Sequence, residues 1–328
     1  MPIIEQAIVG QEKLVEFFDK LAILSAQEAL NGSFILVGPP SSGKKTLATV
    51  LAAKLLCQAK SNRPCGECQS CREIKSKINS DLYWLSVAED KKNISVDEVR
   101  GLIRSLSLSS LTYEYKVAII DQAELLSQGA GNALLKTLEE PNKKTIIVLL
   151  VNNLDKLPKT IVSRSQVFNL RPIAPDMVYD WLVGERGLKR SQAKTLSRLS
   201  LGWPGLAIKF AGDEALTKAH LDAAEAFLSA PGLNLTDRLE AVEKLLKNQE
   251  AADILPIWQS ATRDCLLSLF GRIDWLRYGT LAKELAIDQA RVRERQVLAW
   301  HKLIAQAQEY LEANVNPKLV LENVIINL

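Results

Sequence analysis

The sequence predicts an α/β protein with a parallel sheet covered on both faces, followed by a long all-helical region. Three observations predict it. Short apolar runs alternate with helical segments through the first half. A glycine-rich turn stands between the first run and the next helix. Strand signals stop after Arg171-Pro172.

The elements follow in order. Lys13–Leu30 is helix-like and leads into the apolar run Phe34–Val37. A helix is expected from about Lys44 to Cys57, and a second run at Leu82–Val87. In residues 95–107, Val96, Val99, Ile103 and Leu106 recur at spacings of three and four, which is helical. Lys116–Ile120 is a third run, ending at Asp121. Leu125–Glu139 reads as a helix that Pro141 stops. Thr145–Val151 and Gln166–Leu170 are the fourth and fifth runs, with Ile161–Ser165 between them. The runs are short, continuous and rich in Ile, Val and Leu, as strands buried on both faces should be.

Residues 172–212 hold short helical pieces broken by Gly184, Gly187, Gly202, Pro204 and Gly205. From about 213 onward the pattern is helical throughout. Val297, Trp300, Ile304, Ala307 and Leu311 form one seam, and Asn316 caps a last helix with Pro317 at its first position.

Bulk properties bound the function. A chain of 328 residues exceeds one ordinary core and implies two or three domains. With 47% hydrophobic and 24% charged residues it reads as a folded, soluble protein. The net charge of +3 neither demands nor excludes nucleic acid, because a local basic patch can hide in a balanced total. No apolar run approaches the roughly 18 residues of a membrane span. Met1 to Gly10 carries no basic leader before an apolar stretch, so a cytoplasmic address without membrane contact is expected. Thiols there stay reduced, and clustered cysteines point to metal before disulfides.

Gly38-Pro39-Pro40-Ser41-Ser42-Gly43-Lys44 lies between a buried strand and a helix, the setting in which this pattern holds phosphates. The glycines let backbone N–H groups turn inward, the helix N-terminus adds positive potential, and Lys44 would neutralise the outer phosphates. The next residue is normally Ser or Thr, whose hydroxyl binds Mg²⁺. Here it is Lys45, with Thr46 one place late. A cation where a metal ligand belongs weakens Mg²⁺ binding, and ATP binding is left open. Asp121 ends a buried strand, the usual Mg²⁺-side carboxylate of such sites. Gln122 follows where active motors carry Glu, and an amide cannot take a proton at neutral pH. Glu124, two residues further on, is expected to face elsewhere.

Cys57, Cys65, Cys68 and Cys71 run as C-x7-C-x2-C-x2-C. Four thiolates in one short segment satisfy a closed tetrahedral Zn²⁺ site of structural type, with an iron–sulfur cluster as the rival. Cys265 sits in an apolar helix and reads as core.

With these residues in place the chain resembles the bacterial DNA polymerase III clamp-loader subunits, which are AAA+ proteins, and among them the delta-prime type. Ile8-Val9-Gly10-Gln11-Glu12 looks like the N-terminal AAA+ box near the adenine. The cysteine insert after the phosphate-loop helix is similar to that of these subunits. Asn132-Ala133-Leu134-Leu135-Lys136-Thr137-Leu138-Glu139-Glu140-Pro141 is close to a clamp-loader signature. Leu157-Pro158 through Ile161-Val162-Ser163-Arg164-Ser165 is similar to the segment carrying a trans-acting arginine, with Ser in place of the usual Cys after Arg164. Asn314 to Leu319 resembles the last collar helix.

The resemblance implies a RecA-like AAA+ module with its zinc insert in residues 1–170, a helical lid in 171–212 and a helical collar in 213–328. It implies gamma/tau ATPase and delta subunits as neighbours, with the sliding clamp and primed DNA as the objects handled. Lys45, Gln122 and the arginine-free Gly202-Trp203-Pro204-Gly205 depart from the ATP-hydrolysing gamma/tau type. They favour a stator that donates Arg164 to a neighbouring site. The alternative is an autonomous AAA+ ATPase. A DNA-binding zinc protein is disfavoured by 6% aromatic residues and by scattered basic pairs such as Lys91-Lys92 and Lys143-Lys144.

Overall fold

The computed structural model describes residues 8–25, 28–88, 91–108, 112–279 and 293–328. Five strands form one parallel sheet: β1 (Gly32–Val37), β2 (Leu82–Leu85), β3 (Lys116–Ile120), β4 (Thr145–Val151) and β5 (Gln166–Asn169). Their order is β2-β3-β4-β1-β5, so β1 and β4 are neighbours with Gly32 opposite Ile146 and Val37 opposite Val151.

Every residue of β3 and β4 is buried, because both faces of the sheet are covered. Alternate side chains divide between two cores. Ile146, Val148 and Leu150 join Phe34, Leu36, Val117 and Ile119 against α1 (Glu12–Ser25) and α2 (Lys44–Leu56). Ile147, Leu149 and Val151 join Ile35, Ala118 and Ile120 against α4 (Val96–Ser107) and α5 (Gln128–Glu139). The short α3 (Gln69–Lys75) carries part of the cysteine segment.

Local chemistry sets the helix ends. Ser95 caps α4, accepting from Glu98 N while the Glu98 carboxylate accepts from Ser95 N at 2.7 Å, a reciprocal capping box. The helix expected from Leu125 instead begins at Gln128. Ser127 caps it by accepting from Ala130 N, and Ala123–Leu125 forms a separate 3-10 turn. Of the helix expected over Lys13–Leu30, the described residues are helical as far as Ser25, and Glu28 N donates to Leu24 O at 2.9 Å. The Tyr115 hydroxyl lies 3.2 and 2.9 Å from the Ser25 and Glu28 carbonyls and accepts from Leu30 N at 3.0 Å.

The described chain divides into two compact units, Met1–Arg186 with Trp203–Leu206, and Gly187–Gly202 with Ala207–Leu328. The second is helical, with Arg190–Leu199, Glu214–Ser229, Leu235–Leu246, Ala251–Leu269, Glu294–Glu312 and Pro317–Ile326 as its main elements. Trp258 is fully buried and donates its indole N–H to Ala223 O at 3.0 Å. Phe227 packs against both Trp258 and Trp300. Of the seam read from sequence, Val297, Trp300, Ile304 and Ala307 are buried and Leu311 half-buried. Asn316 caps the last helix, its side chain accepting from Lys318 N. None of the described helices is long and apolar enough to cross a membrane.

Candidate functional site

The phosphate loop joins β1 to α2, where strand pairing holds its first residue: Gly38 N donates to Val151 O at 3.1 Å. Two residues adopt the left-handed backbone, Ser41 (φ 61) and Gly43 (φ 94), and Ser42 N donates to Pro39 O. Pro40 and Ser42 complete the turn, and Lys44, Lys45 and Thr46 form the first turn of α2. Trp203–Leu206 belongs to the same unit and closes on the loop. A Cβ added at Gly205 would come within 2.4 Å of the Ser41 carbonyl oxygen.

Lys44 is buried, and its ammonium donates to Gly38 O at 2.5 Å, Pro39 O at 2.8 Å and Asn152 Oδ1 at 2.9 Å. Burial pulls its pKa down to about 8, against the carboxylates of Glu124 and Asp121, which favour the charged form; Lys45 adds to the lowering. Asp121 is buried at the end of β3, and its Oδ2 pairs with Lys45 Nζ at 2.7 Å. Gln122 is exposed with φ 53, so its amide follows a sharp turn out of the strand.

That turn corrects the expectation for Glu124. The chain bends at Gln122 and the 3-10 turn Ala123–Leu125 returns the carboxylate to the site, where Oε1 accepts from Asn152 N at 3.1 Å. Its Oε2 is buried without a hydrogen-bond partner among the described residues. Two ammoniums and two carboxylates thus share the site. Asn152 and Glu124 are the residues that sequence reasoning missed. The signal for Asn152 was a polar residue directly after the apolar run Ile146–Val151.

The four cysteines come together. Their sulfur atoms all lie within 4.8 Å of one another, and Cys57 and Cys68 are 4.0 Å apart. A tetrahedral zinc with Zn–S near 2.3 Å requires sulfurs about 3.8 Å apart. Gly66 takes φ 79 within the turn. Cys65 N, Cys68 N and Cys71 N donate to the sulfurs of Cys57, Cys65 and Cys68 at 3.4, 3.4 and 3.5 Å. Backbone hydrogen bonds pull the Cys65 thiol down to about 6, whereas burial pushes Cys57 and Cys71 up. The donor set fits a closed four-sulfur metal site, and zinc is consistent with it. Cys265 is buried in the helix Ala251–Leu269, as read from sequence.

Arg164 lies between α6 (Lys159–Val162) and β5. Its guanidinium faces Glu139 through Nε and Nη2, and Nη1 donates to Thr160 O at 3.0 Å. Its carbonyl accepts from Ser33 Oγ at 2.6 Å. Ser33 stands at the start of β1 and the phosphate loop follows the end of β1. The backbone of Arg164 is therefore roughly 15 Å along the strand from its own phosphate loop, at about 3.3 Å per residue. The structure does not bring Arg164 to the site formed by Lys44, Lys45 and Asp121.

Comparison with known proteins agrees with this architecture. The family described as "DNA polymerase III, delta subunit" matches residues 10–174. The DNA polymerase III subunit delta' of Pseudomonas aeruginosa is 31% identical over 323 residues, with 90% of each chain covered. The subunit delta' of Haemophilus influenzae is 33% identical over 183 residues, and that match spans 56% of each chain. A solved DNA polymerase III gamma subunit-related protein of Thermotoga maritima shares the fold, with a TM-score of 0.53 at 18% identity over 94% of this chain and 97% of that one. With a profile match over half of its length and a full-length relative of this identity, the chain belongs to the delta-prime family of DNA polymerase III clamp-loader subunits.

Proposed function

We propose that this clamp-loader subunit is a stator. It holds a degenerate ATP site and donates Arg164 to the site of an adjacent ATPase subunit. The observation that carries the reading is the Lys45–Asp121 ion pair. The strand-end carboxylate that faces Mg²⁺ in hydrolysing sites is already neutralised by the chain's own ammonium. Gln122 adds to this, since its exposed amide cannot take a proton from water. The loop Gly38–Thr46 then remains as a phosphate cradle without turnover. In this reading the first 170 residues are the AAA+ module, 171–212 the lid and 213–328 the collar that assembles with gamma/tau and delta subunits.

The placement of Arg164 supports action in trans. Its backbone is anchored at the start of β1, away from its own phosphates. A guanidinium there offers a planar fork of donors for the γ-phosphate oxygens of a neighbour as charge shifts in the transition state. Cys57, Cys65, Cys68 and Cys71 would hold a structural Zn²⁺ that closes the insert beside α2. The assembled ring would open the sliding clamp and set it on primed DNA in the cytoplasm.

One observation favours the alternative, an autonomous ATPase. Glu124 carries a carboxylate into the site and could serve as the base that Gln122 cannot. One experiment separates the two. The purified chain is assayed alone for ATP turnover, then added to gamma/tau and delta subunits in a clamp-loading assay on primed DNA. The stator reading expects negligible turnover alone and loading that depends on the chain. Turnover alone on the order of 1 per second, abolished by Glu124→Gln, overturns it.

A further inference from the structure

Phosphate loops of this fold work with Mg²⁺, and the residues here do not fit that ion. Lys45 replaces the hydroxyl ligand. Thr46, one residue on, is rotated by about 100° around α2 and cannot present its hydroxyl in the same direction. Of the two carboxylates in the site, Glu124 accepts from Asn152 N through Oε1, and the strand-end Asp121 has its Oδ2 2.7 Å from the Lys45 ammonium. A divalent ion and an ammonium at one carboxylate repel each other, so the ion pair disfavours the metal there.

We propose that Lys45 takes the place of the divalent cation, so that the loop binds the phosphate chain of a nucleotide without Mg²⁺. The inference rests on reading Gly38–Thr46 as a nucleotide site and deepens it. Its geometry is asymmetric in a useful way. The Asp121 side chain is only 9% exposed and fixed at the strand end, whereas the Lys45 side chain is 67% exposed on a flexible stem. The ammonium is therefore anchored on one side by a buried carboxylate and open to an incoming anion on the other. A cation so held can bridge Asp121 to phosphate oxygens, which is the role a magnesium ion has in hydrolysing sites. Lys44 meets the same anion from the loop side, held by Asn152 Oδ1 and two loop carbonyls. An ammonium offers no coordinated water and no fixed octahedral geometry. It therefore supports binding without supporting hydrolysis.

The test uses the full chain with fluorescent N-methylanthraniloyl-ADP as probe and inorganic pyrophosphate as competitor. Divalent ions are removed by resin rather than by a chelator, which spares the cysteine site. The expected dissociation constant differs by less than about threefold between Mg²⁺-free and millimolar-Mg²⁺ buffer. In Lys45→Thr the buried carboxylate is released beside a hydroxyl, and Mg²⁺ should tighten binding by about tenfold or more. Lys45→Ala, which frees Asp121 without supplying the hydroxyl, should bind weakly in Mg²⁺-free buffer. Circular dichroism confirms that both variants fold. Binding by the wild-type chain that requires Mg²⁺ overturns the inference and leaves the nucleotide reading intact. Equal binding by Lys45→Ala in Mg²⁺-free buffer overturns it too. No binding of either probe by any of the three proteins, with or without Mg²⁺, overturns the nucleotide reading itself.

Discussion

Replacing Arg164 by alanine separates a catalytic role in a neighbour's site from a structural role in its own subunit. The substitution removes the guanidinium contacts with Glu139, Thr160 O and Ser163 Oγ. The two charged side chains are 34% and 47% exposed, so the pair is screened by water and contributes less than about 1 kcal/mol to folding. The fold and the assembled complex should therefore survive. An arginine acting across an interface contributes about 10³- to 10⁵-fold, or roughly 4–7 kcal/mol of transition-state stabilisation, at the single site it serves. In the proposed ring, total turnover should fall by less, since only one ATP site borrows Arg164. The assay reconstitutes the complex and measures assembly by size exclusion, steady-state ATP hydrolysis, and clamp loading on primed DNA. Arg164→Ala should assemble normally, lose part of the turnover and load clamps poorly. Arg164→Lys should rescue little, since an ammonium lacks the fork. Glu139→Gln is the control for the ion pair. Wild-type loading by Arg164→Ala refutes the finger. So does loss of assembly that Glu139→Gln reproduces in full.

Other consequences are open to measurement. The purified chain should carry about one zinc by elemental analysis, and chelation should loosen the insert around Cys57–Cys71 without melting the helical unit; stoichiometric iron with a visible absorbance band would replace zinc by a cluster. His220 lies 2.9 Å from the Tyr278 hydroxyl and against Phe210, and burial, with a smaller contribution from Arg277, lowers its pKa to about 3. A folded-state pKa depressed below the unfolded value of about 6.5 means that the unfolded chain binds the extra proton; stability of the second unit should fall by up to about 1.4 kcal/mol per pH unit below about pH 6.5, until the folded pKa is reached. Urea midpoints measured from neutral pH down to about pH 5 should show this slope, and His220→Gln should flatten it. Gly205→Ala would drive a Cβ into the Ser41 carbonyl, destabilise the first unit by about 1–3 kcal/mol and weaken any nucleotide binding; a variant with unchanged melting would show that the two segments separate freely.

The sequence by itself determined the features whose cause is local. Continuous apolar runs specified buried parallel strands, because both faces of β3 and β4 are covered and leave no polar alternation. Asn316 announced a helix start, since a cap needs only residues within one turn. The cysteine spacing made a four-sulfur cluster legible for the same reason: its ligands fall within fifteen residues of chain. The tertiary structure alone decided what depends on strand order. Placing β1 beside β4 carries Asn152 to Lys44, 108 residues away in sequence. Closing β3 against β4 sets Asp121 where Lys45 can reach it. Tyr115 reaches the segment after the first helix from 85 residues away or more, through Leu30 N and the Ser25 and Glu28 carbonyls. Glu124 was misplaced by sequence reasoning because one left-handed residue, Gln122, reverses the chain, and nothing in an amide's identity foretells that turn. Local propensity fixes elements within a few residues, whereas the charges that meet at this site were assembled by a sheet whose order no short stretch of sequence encodes.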